Sequence, residues 1–402
     1  MTTKTILASA ISTALLSAAL PAQASSFTDF VKDGDVITEI RIRNENVQQD
    51  NTKDDAIAMT ARARIGYETA SMAGFKVLAE FDQVIVLQDE YNSISATPPH
   101  NTNKSVIADG MGSDFNRFQV SYDQEIEKGT KVGAILGRQR IIFDNARFIG
   151  NVGWRQNEQT YDAARINFST LENNLMATYA YINQVNDIFY NDTEVNHHLL
   201  NIGYNTPVGK ITGYGYLLED DDSEATNDTY GLRFNGKTAL DSLSILYTAE
   251  YADQTQNSGV SGAKDNDAQY SLLEAGIEVS GITFAAGLES LGGDGTYGFQ
   301  TPLATKHAFN GWADSFLGTG TNGLQDTYAK VSTKLAGIKL LAVYHDYSTD
   351  KNNDNLGDEI NLLASKKFDK NFSAGVKFAQ YSARESSNVD TDKLWLWAEA
   401  KF

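Results

Sequence analysis

The chain of 402 residues has no cysteine, five prolines, five histidines and a shortage of basic residues, 33 Lys and Arg against 52 Asp and Glu. Without cysteine it is neither a disulfide-stapled domain nor a Cys-ligated zinc or iron–sulfur protein. A formal charge of −19 excludes a basic nucleic-acid binder. Beyond the N-terminus there is no apolar run of about 20 residues, so a bundle of membrane-spanning helices is excluded too. Aromatic residues and glycine are plentiful, with 19 Tyr, 19 Phe and 32 Gly. Two classes survive: a soluble acidic protein, or a membrane protein whose apolar residues are dispersed in alternation.

The one sizeable apolar stretch is Ile6 to Leu20, preceded by Lys4 and followed by Pro21-Ala22-Gln23-Ala24. A cationic start, an apolar centre and a small-x-small end define a secretory signal peptide. Residues 1–24 are therefore expected to be removed. That leaves 402 − 24 = 378 residues, 25–402, as a single domain of charge −20 once Lys4 is lost.

The mature chain alternates with period 2. Thr38, Ile40 and Ile42 oppose Glu39, Arg41 and Arg43; Met59, Ala61, Ala63, Ile65 and Tyr67 oppose Thr60, Arg62, Arg64, Gly66 and Glu68. Strand side chains point to alternate faces, so each such run shows one apolar and one charged face. About 18 strands are expected, all antiparallel, with 16 as the nearest alternative. Gaps after odd-numbered strands are mostly long, such as 88–113 and 291–324; those after even-numbered strands are tight, such as Thr206-Pro207-Val208-Gly209 and Ser280-Gly281. Short periplasmic turns and long external loops are the pattern of an outer-membrane β-barrel. Pro98, Pro99, Pro207 and Pro302 all fall in these gaps, as a sheet without edges requires. In the last strand Leu394, Leu396, Ala398, Ala400 and Phe402 share one face, against Lys393, Trp395, Trp397, Glu399 and Lys401. A final Phe resembles the signal read by the barrel insertion machinery.

Three blocks are more specific than barrel wall: Arg41-Ile42-Arg43-Asn44-Glu45-Asn46; Asp144-Asn145-Ala146-Arg147-Phe148-Ile149-Gly150-Asn151-Val152-Gly153-Trp154-Arg155; and His307-Ala308-Phe309-Asn310-Gly311-Trp312-Ala313-Asp314. They resemble the alginate export family of outer-membrane barrels. The resemblance implies an 18-stranded monomer in the outer membrane of a Gram-negative bacterium. The family's name comes from a channel that passes a polyuronate through an arginine-rich constriction.

Inward parity gathers Arg41, Arg43, Arg62, Arg64, Glu80, Asp82, Arg117, Arg138, Arg140 and Arg165 as pore-lining candidates. Planar guanidinium donors bind carboxylates bidentately, so the expected cargo is an anionic saccharide or small carboxylate. The alternative is that these charges satisfy one another across strands, leaving a general diffusion porin. One or both of the segments 144–162 and 291–324 are expected to fold inward, with Asn145, Arg147, Trp154 and Arg155 near a constriction, the alternative being external loops packed on themselves. Inward Gly, Ser, Thr and Asn suggest a water-filled interior rather than an adhesin or structural barrel. Asp220-Asp221-Asp222 with Glu224 reads as a solvated rim, with cation bridging to lipopolysaccharide as the other reading; lipid surrounds the wall. No cofactor or metal site is indicated. The histidines, His100, His197, His198, His307 and His345, accompany no nucleophile elbow and no HExxH motif, so a hydrolase is not expected.

Overall fold

The computed structural model describes residues 26–170, 172, 174–384 and 388–402, so the expected signal segment lies outside the described residues. After a short helix α1 (Phe27–Lys32) come β1 (Asp35–Gln49), β2 (Ala56–Glu68), β3 (Phe75–Glu90), β4 (Gly112–Glu127), β5 (Thr130–Gln139) and β6 (Thr160–Thr170). Next are β7 (Leu175–Asn186), β8 (Asp192–Thr206), β9 (Gly209–Glu219), β10 (Thr226–Ala239), β11 (Leu243–Asn257) and β12 (Asn266–Val279). The last six are β13 (Ile282–Leu291), β14 (Leu324–Leu335), β15 (Ile338–Ser348), β16 (Asn355–Lys367), β17 (Phe372–Ala383) and β18 (Thr391–Lys401).

Each strand pairs antiparallel with its chain neighbours, and β1 also pairs with β18, from Glu39↔Lys401 to Gln49↔Thr391. The sheet is thus a closed 18-stranded barrel. Closure leaves no row of bare N–H and C=O groups, the condition for crossing hydrocarbon. No helix among the described residues is long and apolar enough to cross a membrane; the strands do it.

Alternation decides which face is greasy. On β2, Ala58, Thr60, Arg62 and Arg64 are buried in the interior while Met59 and Ile65 are exposed outside. The same parity puts Ile40, Ile42, Phe118, Leu232, Leu273 and Leu396 on the outer surface. Tight connections follow the even strands. Ser280-Gly281 and Ala336-Gly337 each hold two successive positive-φ residues, the geometry of a two-residue hairpin turn, in which glycine carries no steric cost. The tandem histidines split as alternation demands. His197 is buried and accepts from Glu219 N, whereas His198 meets Tyr179 Oη at 2.7 Å.

The lipid-facing position of Leu273, mid-strand on β12, is directly testable. Leu273→Arg should cost ~2–4 kcal/mol of stability, read by urea unfolding from vesicles, and an unchanged midpoint would contradict the assigned parity.

Candidate functional site

The charged wall of β1–β4 is built by register. Arg41 pairs across to Arg62, Glu39 to Arg64, and Arg64 onward to Asp82. A bulge leaves Asn116 unpaired between Arg117, which opposes Glu80, and Phe115, which opposes Phe81. Both Asn116 and Arg117 therefore reach Glu80, at 2.6 Å each.

Most of these arginines are neutralised. Arg43 is paired with Asp109 and Arg62 with Glu39; Arg64 lies 3.3 Å from Asp82 and 3.2 Å from Glu158. Arg140 bonds Glu158 and Glu80. Burial would raise the Glu158 carboxyl, but Arg64 and Arg140 outweigh it and hold the group down to about 2. Arg41 differs. Its guanidinium donates to Gln156 Oε1 (2.9 Å), Gly153 O (3.2 Å) and Arg155 O, all neutral oxygens, and forms no ion pair among the described residues. Three of its five N–H groups are so used.

Two assignments change. Arg138 is not on the lumen face: register pairs it with outward Phe118, and its guanidinium is held by Asp114 at 2.7 Å and Asp162 at 2.8 Å. Directly opposed residues share a face, and Ala134 and Leu136 already carry this parity. Arg140 lies beyond the end of β5, where alternation lapses, and does turn inward. Arg165 opposes buried Ala180 and donates to Arg140 O at 3.2 Å. Asn145 is exposed and only accepts from Arg147 N at 3.3 Å, shaping its own turn rather than a constriction.

Both long segments enter the barrel. In the 140–159 loop, Gln156 Nε2 donates to Thr60 Oγ1 at 2.8 Å, and Arg155 meets Glu45 and Asp314 at 3.0 Å each. Arg147 reaches Glu289 at 2.8 Å and Asn310 Oδ1 at 3.0 Å. Phe148 packs against Tyr214, Tyr216, Tyr270 and Phe299. This aromatic core inside the barrel departs from the watery interior expected of its small polar residues, because the loops bring in the apolar surface that those tyrosines cover.

The 292–323 loop docks through Asn310-Gly311, both left-handed. That turn aims Trp312 N and Ala313 N at Glu359 on β16, at 2.5 and 2.8 Å. A Cβ on Gly311 would sit 2.2 Å from Glu359 Oε2. Nearby, His307 Nδ1 lies 2.6 Å from Asp314 Oδ1, and Asp314 Oδ2 accepts from Lys393 at 2.8 Å. Burial pushes the His307 imidazole down to about 3, so it is neutral at pH 7, with its Nδ1 proton toward Asp314. Asp314 resists its own burial and stays well below the usual carboxylate range, through His307, Lys393 and Arg155.

Between these loops and the periplasmic ends of β1, β2 and β18 lies a cavity of ≈ 510 Å³. Arg41, Arg43, Arg62, Arg64, Arg140 and Lys401 face it, with Glu39, Glu158 and Glu399, six cations against three carboxylates. Trp154 and Trp397 supply its aromatic faces. Sequence reasoning missed Glu45, Asp109 and Glu158 as partners. It also missed Lys377 and Lys393, whose inward parity on β17 and β18 was the available signal.

A closed barrel with greasy outside, charged inside and inward-folded loops is an outer-membrane β-barrel of porin architecture. The alginate export model matches residues 37–374, and the chain belongs to that family. Among solved structures, OccK9 (OpdG) of Pseudomonas aeruginosa superposes with a TM-score of 0.68 at 11% identity, over 93% of this chain and 100% of that one. OpdK of the same organism, solved with vanillate, gives 0.69 at 12%, over 93% and 99%. Acinetobacter baumannii OccAB2 gives 0.68 at 14%, over 93% and 99%. At such identities the likeness is one of fold. No curated protein matches the sequence.

Acid should loosen the loop network. A histidine whose native value is depressed contributes stability that is complete above its ordinary value near 6.5 and declines as pH falls toward 3. The melting temperature in detergent is expected to drop between pH 7 and pH 4, and to drop less in His307→Gln, which cannot titrate; parallel pH curves would refute this. Gly311→Ala is expected to release the 292–323 loop, measured as faster proteolysis within it.

Proposed function

We propose that the chain is an outer-membrane channel for anionic saccharides or small carboxylates, with Arg41 as its principal solute-facing charge. The observation that carries the reading is that Arg41 borders the cavity with a guanidinium that forms no ion pair among the described residues. Arg43, Arg62, Arg64 and Arg140 add donors whose charge is largely spoken for, so they steer and bind without trapping, as passage requires. Trp397 borders the same cavity and supplies an aromatic surface for a sugar or aromatic ring beside those donors. The two inward loops favour a restricted passage over general diffusion. A hydrolase is disfavoured because His307 Nε2 meets Lys377 Nζ at 2.7 Å rather than a hydroxyl nucleophile. In this reading residues 1–24 direct export and are removed, and residues 25–402 form one monomeric barrel, seated by the insertion machinery among lipid and lipopolysaccharide of a Gram-negative outer membrane.

Reversal potentials across a planar bilayer test the charge assignment. One unit charge about 7 Å from a passing ion is worth roughly 0.6 kcal/mol in water, about threefold in occupancy. The wild type is expected to prefer anions, and Arg41→Gln to shift that preference toward cations by about this factor for each ion. Removing a neutral pair, Arg62→Gln with Glu39→Gln, should leave it near the starting value. Cation preference in the wild type, or an unmoved Arg41→Gln, would defeat the proposal. Liposome swelling with uronate oligomers against neutral sugars of equal size separates anionic cargo from general diffusion.

A further inference from the structure

The chain has four tryptophans, and all four gather at one place in the lumen. Three of them enclose the ammonium of Lys377 on β17. Its Nζ lies 3.9 Å from the centroid of Trp312, 4.4 Å from Trp154 and 5.5 Å from Trp395. The fourth, Trp397, packs edge-on against Trp154 at 5.4 Å. The same ammonium donates to His307 Nε2 at 2.7 Å, and the His307 ring stacks on Trp154 at 5.3 Å.

These contacts belong to different parts of the chain. Trp154 lies in the 140–159 loop, Trp312 and His307 in the 292–323 loop, and Trp395 on β18, directly opposite Lys377 in register. One ammonium on the rigid wall therefore touches both lumen loops at once. The desolvated cage attracts a cation to its ring faces. Charge balance comes through the imidazole, which links Lys377 to Asp314, while Asp314 also binds Lys393 of the wall and Arg155 of the other loop.

We propose that Lys377 is the positioning residue that pins both inward loops, and that the pinned loops set the width of the passage. Only the width claim rests on the channel reading. Lysine suits the task because ring faces attract a cation, so the loops are gripped by those faces and one imidazole nitrogen.

The test compares Lys377→Met, which keeps the length and apolar stem but removes the charge and the donor, with Lys377→Arg, which keeps the cation. Heat-modifiable gel migration establishes that each barrel is folded. All tryptophan emission originates at this locus, so fluorescence reports on it directly. Lys377→Met is expected to red-shift the emission and to raise single-channel conductance roughly twofold or more, since 18 strands enclose a wide bore once loops leave it. Lys377→Arg is expected to restore both readouts. Should Lys377→Met not fold, His307→Phe, which keeps the stack on Trp154 and removes both hydrogen bonds, is expected to give the same two changes. Wild-type emission and conductance in the folded variants would overturn the proposal. Ion selectivity is a separate readout: a failed latch with anion preference intact leaves the proposed function standing, and the converse result leaves the latch standing.

Discussion

The ladder between β1 and β18 is the contact on which the other features depend. Once those strands pair, every strand has two neighbours and each residue must face either lipid or the enclosed space. The apolar half of each alternating run then has one place to go, and the charged half has the other. A soluble sandwich built from the same alternation would bury the greasy face and wet the polar one. Here the buried side is the polar side, and Arg43, Glu45, Arg62, Glu80 and Asp82 are among the least exposed residues of the chain.

Burying that many charges is costly unless each finds a partner, and the interior is organised around meeting that demand. Wall residues cannot do it alone, because strand parity repeats like charges side by side, as with Arg41 opposite Arg62. The loops supply what the wall lacks. Asp109 comes in to Arg43, Glu158 to Arg64, and Arg155 to Glu45. Loop entry is thus less an ornament of the pore than the means by which its wall is electrically satisfied.

This division also explains what could be read from the sequence. Strand number, turn placement and the inward row Arg41, Arg43, Arg62, Arg64 follow from period 2, a local property that each segment displays by itself. Arg138 imitates an inward charge although Leu136, two residues earlier, carries its parity on the outer face; register with outward Phe118 resolves it. Asn145 shares its segment with Arg147, Trp154 and Arg155 but not their role, because its contact with the backbone two residues on shapes a turn. The pairing of Lys377 with His307, or of Lys393 with Asp314, links residues far apart in sequence. No local pattern encodes such a contact; it appears only once closure has fixed where each strand stands.

Arg41 shows how the two systems meet. Its three acceptors, Gly153 O, Arg155 O and Gln156 Oε1, all belong to one short stretch of the 140–159 loop. A carboxylate arriving from the cavity would compete with those neutral oxygens and, being charged, would form the stronger bonds. Were a solute to bind there, as proposed, the hold of Arg41 on residues 153–156 would weaken, while Lys377, Glu45 and Asp314 would continue to grip Trp154 and Arg155. On the proposed function, the side chain that meets a solute is also one of the loop's own fastenings, so solute binding and the set of the loop would share a residue and would not be energetically independent.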